Sequence, residues 1–149
     1  MRDRVLRIGM AFLALGALPV GVWATIAPKS FYNDFPGGGR HWIRLDGPFN
    51  EHLVRDVGEL NLALVVITAF AIVTLSLPLV RATLAGWIVT GALHAIYHWA
   101  NMHPYETGDQ LAIGLTLTFV PVLAFGLLLA TRGENVPTRG PSDAAGGSV

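Results

Sequence analysis

Four uninterrupted apolar runs, each close to the ~20 residues that carry an α-helix across ~30 Å of hydrocarbon, decide what this chain can fold into. They are IGMAFLALGALPVGVWATIA over 8–27, LNLALVVITAFAIVTLSLPLV over 60–80, ATLAGWIVTGALHAIYHWA over 82–100 and LAIGLTLTFVPVLAFGLLLA over 111–130. Lipid offers no partner to a backbone N–H or C=O, so such a run satisfies its own polar groups as a helix. The second helix is expected to start well before its apolar run, near Glu51. The reading is therefore an all-α integral membrane bundle of four transmembrane helices over residues 1–132, with spans at about 8–27, 55–80, 82–100 and 110–130. Pro19 and Pro121 fall inside spans and predict kinks, which membrane helices tolerate where neighbours re-satisfy the freed carbonyl.

Composition agrees with this. Of 149 residues 52% are hydrophobic and 13% charged, with a mean hydropathy of +0.52, against roughly 25% charged in soluble domains. The first run follows the basic start MRDRVLR, as a signal peptide would, but it exceeds a usual signal core and no A-x-A site follows, so an uncleaved span is expected. Arg2, Arg4, Arg7, Arg81, Arg132 and Arg139 would share one side of the membrane, and Lys29, Arg40, Arg44 and Arg55 the other. That bias places both termini of a multi-pass chain in the cytoplasm. The tail 133–149 is rich in Gly, Pro and Ser and reads as disordered. The segment 28–54 mixes Phe31, Tyr32, Phe35, Trp42 and Phe49 with the turn signals PGGG and DGP, and reads as a structured extracytoplasmic loop, either an interfacial loop or a lid.

Several chemistries are excluded. With no cysteine there are no disulfides, thiolate metal sites or thiol redox pairs. The single lysine, Lys29, lies in a loop and not among the helices, which removes a buried Schiff base. Ten basic residues balance ten acidic ones, leaving no electrostatic footprint for a nucleic acid. No nucleotide-binding motif is present to drive a primary transporter.

What remains is histidine, carboxylate and tyrosine chemistry, all at one end. His41, His52, His94, His98 and His103 fall on the expected outer side with Asp34, Asp46, Glu51, Asp56, Glu59, Glu106 and Asp109. His52, Asp56 and Glu59 are spaced by four and three residues, which stacks them on one helical face. His94, His98 and Asn101 repeat that spacing on the third span. In antiparallel helices, Glu59 then lies near the depth of His94 and Asp56 near that of His98. If those faces meet, two imidazoles and two carboxylates form a set suited to Zn(II), Fe(II) or Mn(II), with His52 and Asn101 behind it. The same groups serve equally as general acid and base, or as a polar tie between helices. Neither H-E-x-x-H nor E-x-x-H occurs. Tyr97 and Tyr105 read as interfacial aromatics, Trp23 and Trp99 as headgroup-level anchors, and Asn61 as a second interhelical hydrogen bond. Gly86, Gly91 and Gly114 read as close-packing surfaces.

The stretches FYNDFPGGGRHW, NEHLVRDVGELNLAL and HAIYHWANM together resemble a group of small four-span membrane proteins from actinobacteria, and more distantly the DoxX-like small membrane proteins. The resemblance covers about residues 5–130 and implies a four-helix fold in the plasma membrane. It brings no activity or ligand set. Three functional readings stand at this point. The first is a divalent-metal site on Asp56, Glu59, His94 and His98. The second is a cofactor-free membrane isomerase or cyclase acting on a lipophilic small molecule through the same residues. The third is a non-enzymatic accessory subunit, working as a homo-oligomer or within a larger membrane complex.

Overall fold

The computed structural model describes residues 1–132, so the tail 133–149 lies outside the described residues. Four long helices dominate: α1 (Arg2–Ile26), α4 (Glu51–Thr74), α5 (Leu77–Ala100) and α6 (Thr107–Ala130). All four are long and apolar enough to cross a membrane. The architecture is that of a small multi-pass membrane protein. The segment between α1 and α4 folds into α2 (Pro28–Asp34), the two-residue strands β1 (Pro36–Gly37) and β2 (Arg40–His41), and α3 (Trp42–Asp46). β1 and β2 pair antiparallel, Pro36 with His41 and Gly37 with Arg40.

Local chemistry sets the boundaries. The Asn50 side chain accepts from Leu53 N at 3.2 Å, capping α4 at the start expected from the sequence. Leu75, in the left-handed region at φ 47°, ends α4, and Pro78 in the first turn of α5 restarts the helix at once. Two arginines then take up carbonyls that helix ends leave unpaired. Arg7 donates to Ile72 O near the end of α4, and Arg81 donates to Thr131 O at 2.8 Å at the end of α6. Each also sets a cation at the negative pole of a helix.

The helices pack as two close pairs. Between α1 and α4, a Cβ on Gly58 would meet Thr25 N at 2.7 Å and Gly21 O at 2.9 Å, so only glycine permits the approach. Between α5 and α6, Gly91 receives Pro121 and Gly114 receives the Trp99 ring, whose Nε1 donates to Thr118 Oγ1 at 3.1 Å. Gly86, by contrast, has room: its nearest neighbour is a Leu64 methyl at 3.9 Å. The unexpected tight glycines are Gly9, Gly21 and Gly58, which meet Leu127, Leu62 and Thr25.

The core is divided by depth. One cluster draws on all four helices, but only on α1 from Leu6 to Ala17, α4 from Leu64 to Leu75, α5 from Leu79 to Ile88 and α6 from Val120 to Ala130. These stretches surround the start of α1, the end of α6 and the α4–α5 turn. Trp87 Nε1 donates to Thr68 Oγ1 at 2.9 Å near the upper limit of this cluster. The second cluster, at the loop end, joins Ala24 and Val54 to Phe31, Phe35, Trp23 and Ile43, with no member from α5 or α6. The four helices thus share a core in one half of the bundle and part into two pairs in the other.

Candidate functional site at the loop end

The loop 28–50 is a packed unit. Phe31 and Phe35 pack at 4.8 Å with their rings tilted by 44°, Trp23 and Trp42 meet them edge-on at 5.8 and 6.0 Å, and Tyr32 Oη donates to Gly47 O at 2.7 Å. It reaches across to the other helix pair at two points. Arg40 pairs with Asp109 in the first turn of α6 at 2.8 Å. Tyr105, in the α5–α6 connection, donates to Asp46 Oδ1 at 2.6 Å and lies 3.4 Å from Trp42 O. Tyr105 is 4% exposed, and its hydroxyl is held well above the ordinary phenol range, first by burial and then by the hydrogen bond and charge of Asp46. It therefore stays protonated and donates to the carboxylate, a charge-assisted bond.

Beneath Tyr105 lie the last turns of α5. The His98 ring is 6.2 Å from the Tyr105 ring and 4.8 Å from that of His94, one turn deeper. Tyr97 meets His98 edge-on at 5.4 Å. His98 is 8% exposed, and its Nδ1 has no hydrogen-bond partner among the described residues. An unmet buried ring nitrogen costs on the order of 1–3 kcal/mol, so it calls for an explanation. Trp42 Nε1, on the loop side of Tyr105, is likewise buried and unpartnered. A cleft of about 320 Å³ bordered by Leu45, Asp46, Tyr97, Asn101 and His103 opens beside this cluster.

The expected four-residue set does not come together. His94 and His98 are joined as predicted, but His52 Nε2 pairs with Asp56 Oδ2 at 3.5 Å on α4 alone. Among the described residues no group of three or more His, Cys, Asp or Glu side chains is placed to hold a metal ion. Helix facing explains the difference. α4 meets α5 through Leu64 and Thr68. Nine residues before Thr68, the exposed Glu59 lies on the opposite side of α4, turned away from His94. Arg55 bridges to Glu51 at 2.9 Å, one helical turn away, and donates to Thr25 O on α1. Asn61 and Asn101 donate to Val57 O and Tyr97 O in their own helices, so neither ties helices nor backs a ligand set. Tyr105 is a buried, bonded group and not an interfacial aromatic.

The pairing of Asp46 with Tyr105 is what sequence reasoning missed. The two are 59 positions apart, and the only local signal was the DGP turn that puts Asp46 at the loop's end.

Below the cluster the helix pairs stand apart. The face of α5 that meets α4 through Gly86 and Trp87 continues by helical steps to Thr90, His94 and Tyr97, all exposed. The matching face of α4 continues from Thr68 and Leu64 to Leu60 and Val57, which are 71% and 46% exposed. Above the shared core these two faces are therefore exposed and not packed inside the bundle. No family model, curated protein or solved structure matches the chain, so its chemistry rests on this geometry alone.

Proposed function

We propose that this plasma-membrane protein, with both termini cytoplasmic, binds the polar head of a lipophilic small molecule at the loop end. In this reading the Nδ1 of His98 hydrogen-bonds to that head. The unpartnered, buried Nδ1 of His98 carries the proposal. A neutral imidazole nitrogen is a donor or an acceptor according to tautomer, which suits it to bind a polar head of either kind. Ionisable groups within a span mark function by default. Tyr105 and Asp46 act as positioning residues: their bond ties the loop over His98. A divalent metal is disfavoured because, among the described residues, His94 and His98 lack a third ligand residue in place. We also place the chain among the four-span actinobacterial proteins that it resembles.

The test uses dodecan-1-ol, whose hydroxyl both donates and accepts and so suits either tautomer of His98. Unfolding of the purified protein in detergent is followed as the alcohol is added. Binding to the native state stabilises it by about 2.7 kcal/mol at 100 times the dissociation constant. His98→Phe, which keeps a ring at the position, is expected to remain folded and lose this stabilisation. An unresponsive wild type, or equal stabilisation of His98→Phe, overturns the proposal.

A further inference from the structure

We infer that the cleft between α3 and the end of α5 is a binding site for a primary ammonium group. The inference stands apart from the reading of His98, which does not line this cleft. The cleft measures about 320 Å³, at the small end of the range for small-molecule sites. Its acceptors are fixed by neighbours. Tyr105 donates to Asp46 Oδ1 at 2.6 Å, which holds the carboxylate in place and leaves Oδ2 without a hydrogen-bond partner among the described residues. Asn101 Nδ2 donates to Tyr97 O at 2.8 Å. A carbonyl only accepts, so the amide nitrogen is committed to it and Asn101 Oδ1 is left to accept.

Three features make the cleft favour a cation. The first is the Asp46 carboxylate, with no lysine or arginine among the described lining residues. Arg40 of the loop is engaged by Asp109 at 2.8 Å, and Arg44, two residues before Asp46, falls on the opposite side of α3 by the helical period. The second is the end of α5: Tyr97 and Ala100 of its last turn line the cleft, at the negative pole of the helix. The third is the Tyr97 ring, whose face attracts cations. An anion is opposed by all three, and a neutral group leaves the carboxylate unmatched. A metal ion lacks ligands, since no group of three or more His, Cys, Asp or Glu side chains is placed to hold one among the described residues. A primary ammonium brings three donors, one each for Asp46 Oδ2 and Asn101 Oδ1 and one for water. That group arrives either on a free alkylamine or on an ethanolamine lipid headgroup.

The full-length protein in phosphatidylcholine nanodiscs is titrated with 4-fluorobutylammonium, and separately with its neutral isostere 4-fluorobutan-1-ol, while the ¹⁹F resonance is followed. The ammonium is expected to shift saturably and the alcohol not at all. Asp46→Asn keeps an acceptor for Tyr105 but removes the charge, and is expected to weaken binding about fivefold, the worth of one exposed ion pair. Ala100→Trp, which fills the cleft from an exposed position, is expected to abolish it. Asp34→Asn, an exposed carboxylate on α2, is expected to leave it unchanged. So is His98→Phe, which lets this site and the His98 reading fail separately. Replacing part of the phosphatidylcholine by phosphatidylethanolamine separates the sources: competition with the fluoroamine assigns the cleft to a lipid headgroup, and unchanged binding assigns it to a free amine. Equal shifts for the alcohol, a shift that never saturates, or binding that survives both Asp46→Asn and Ala100→Trp overturns the inference.

Discussion

Gly58→Ala is expected to destabilise the bundle even though alanine is the better helix former. The added methyl meets Thr25 N at 2.7 Å and Gly21 O at 2.9 Å, both backbone atoms, so no side-chain rotation relieves it and α1 must move from α4. Overpacking of this kind costs 1–3 kcal/mol, and backbone neighbours place it near the upper end, about 3 kcal/mol. Helix propensity returns about 1 kcal/mol on replacing glycine by alanine. The net expectation is a loss of about 2 kcal/mol, roughly a 30-fold fall in the folded-to-unfolded ratio. Gly16→Ala is the internal control: nothing lies within 4 Å of its Cβ, so only the favourable propensity acts and the sign reverses. Reversible unfolding in mixed micelles titrated with SDS reads both variants. A Gly58→Ala protein as stable as wild type, or a Gly16→Ala protein that loses as much, refutes the close α1–α4 crossing.

Three further outcomes follow. Because Tyr105 keeps its proton above the ordinary phenol range of about 10, the unfolded chain releases that proton first as pH rises. The stability it contributes is thus intact below about pH 10 and declines above it. Subtracting the Tyr105→Phe unfolding profile isolates this slope, and identical profiles contradict the burial of the hydroxyl. Zn(II) or Mn(II) is expected to leave the unfolding transition unmoved, since among the described residues no third His, Cys, Asp or Glu side chain is placed to join His94 and His98 on an ion; a saturable rise would restore the metal reading. Lys29→Cys, the sole thiol in an otherwise cysteine-free chain, is expected to react with an impermeant maleimide on intact cells. Reaction only after lysis reverses the proposed orientation.

The number and place of the four long helices were legible because hydrophobic length is a local property: each apolar run lies within one helix save 8–27, whose Ala27 caps α1, and 60–80, which the turn at Leu75 and Ser76 divides between α4 and α5. The Asn50 cap likewise lies within four residues of the start it fixes. Which faces meet was not legible. Equal spacings on two helices show that residues share a face on each, but Gly21, Gly58 and Gly91 decide the rotation of each helix against its neighbour. That rotation turned Glu59 away and left Asp56 to His52. His94 and His98 were found because their pairing is an i,i+4 relation in one helix. The pairing of Asp46 with Tyr105 was not, because a loop folded over the bundle brings the two together and no periodicity encodes that fold.

The account stands or falls on the free nitrogen of His98. Protein labelled with ¹⁵N-histidine, with the His98 signals assigned by loss in His98→Gln, is placed in bilayers and titrated with dodecan-1-ol. The prediction is that Nδ1 of His98 shifts as a new hydrogen bond forms, and that the shift saturates along the same curve as the thermal stabilisation. Stabilisation that saturates while both His98 nitrogens hold their resonances, or an Nδ1 already hydrogen-bonded before any alcohol is added, contradicts it.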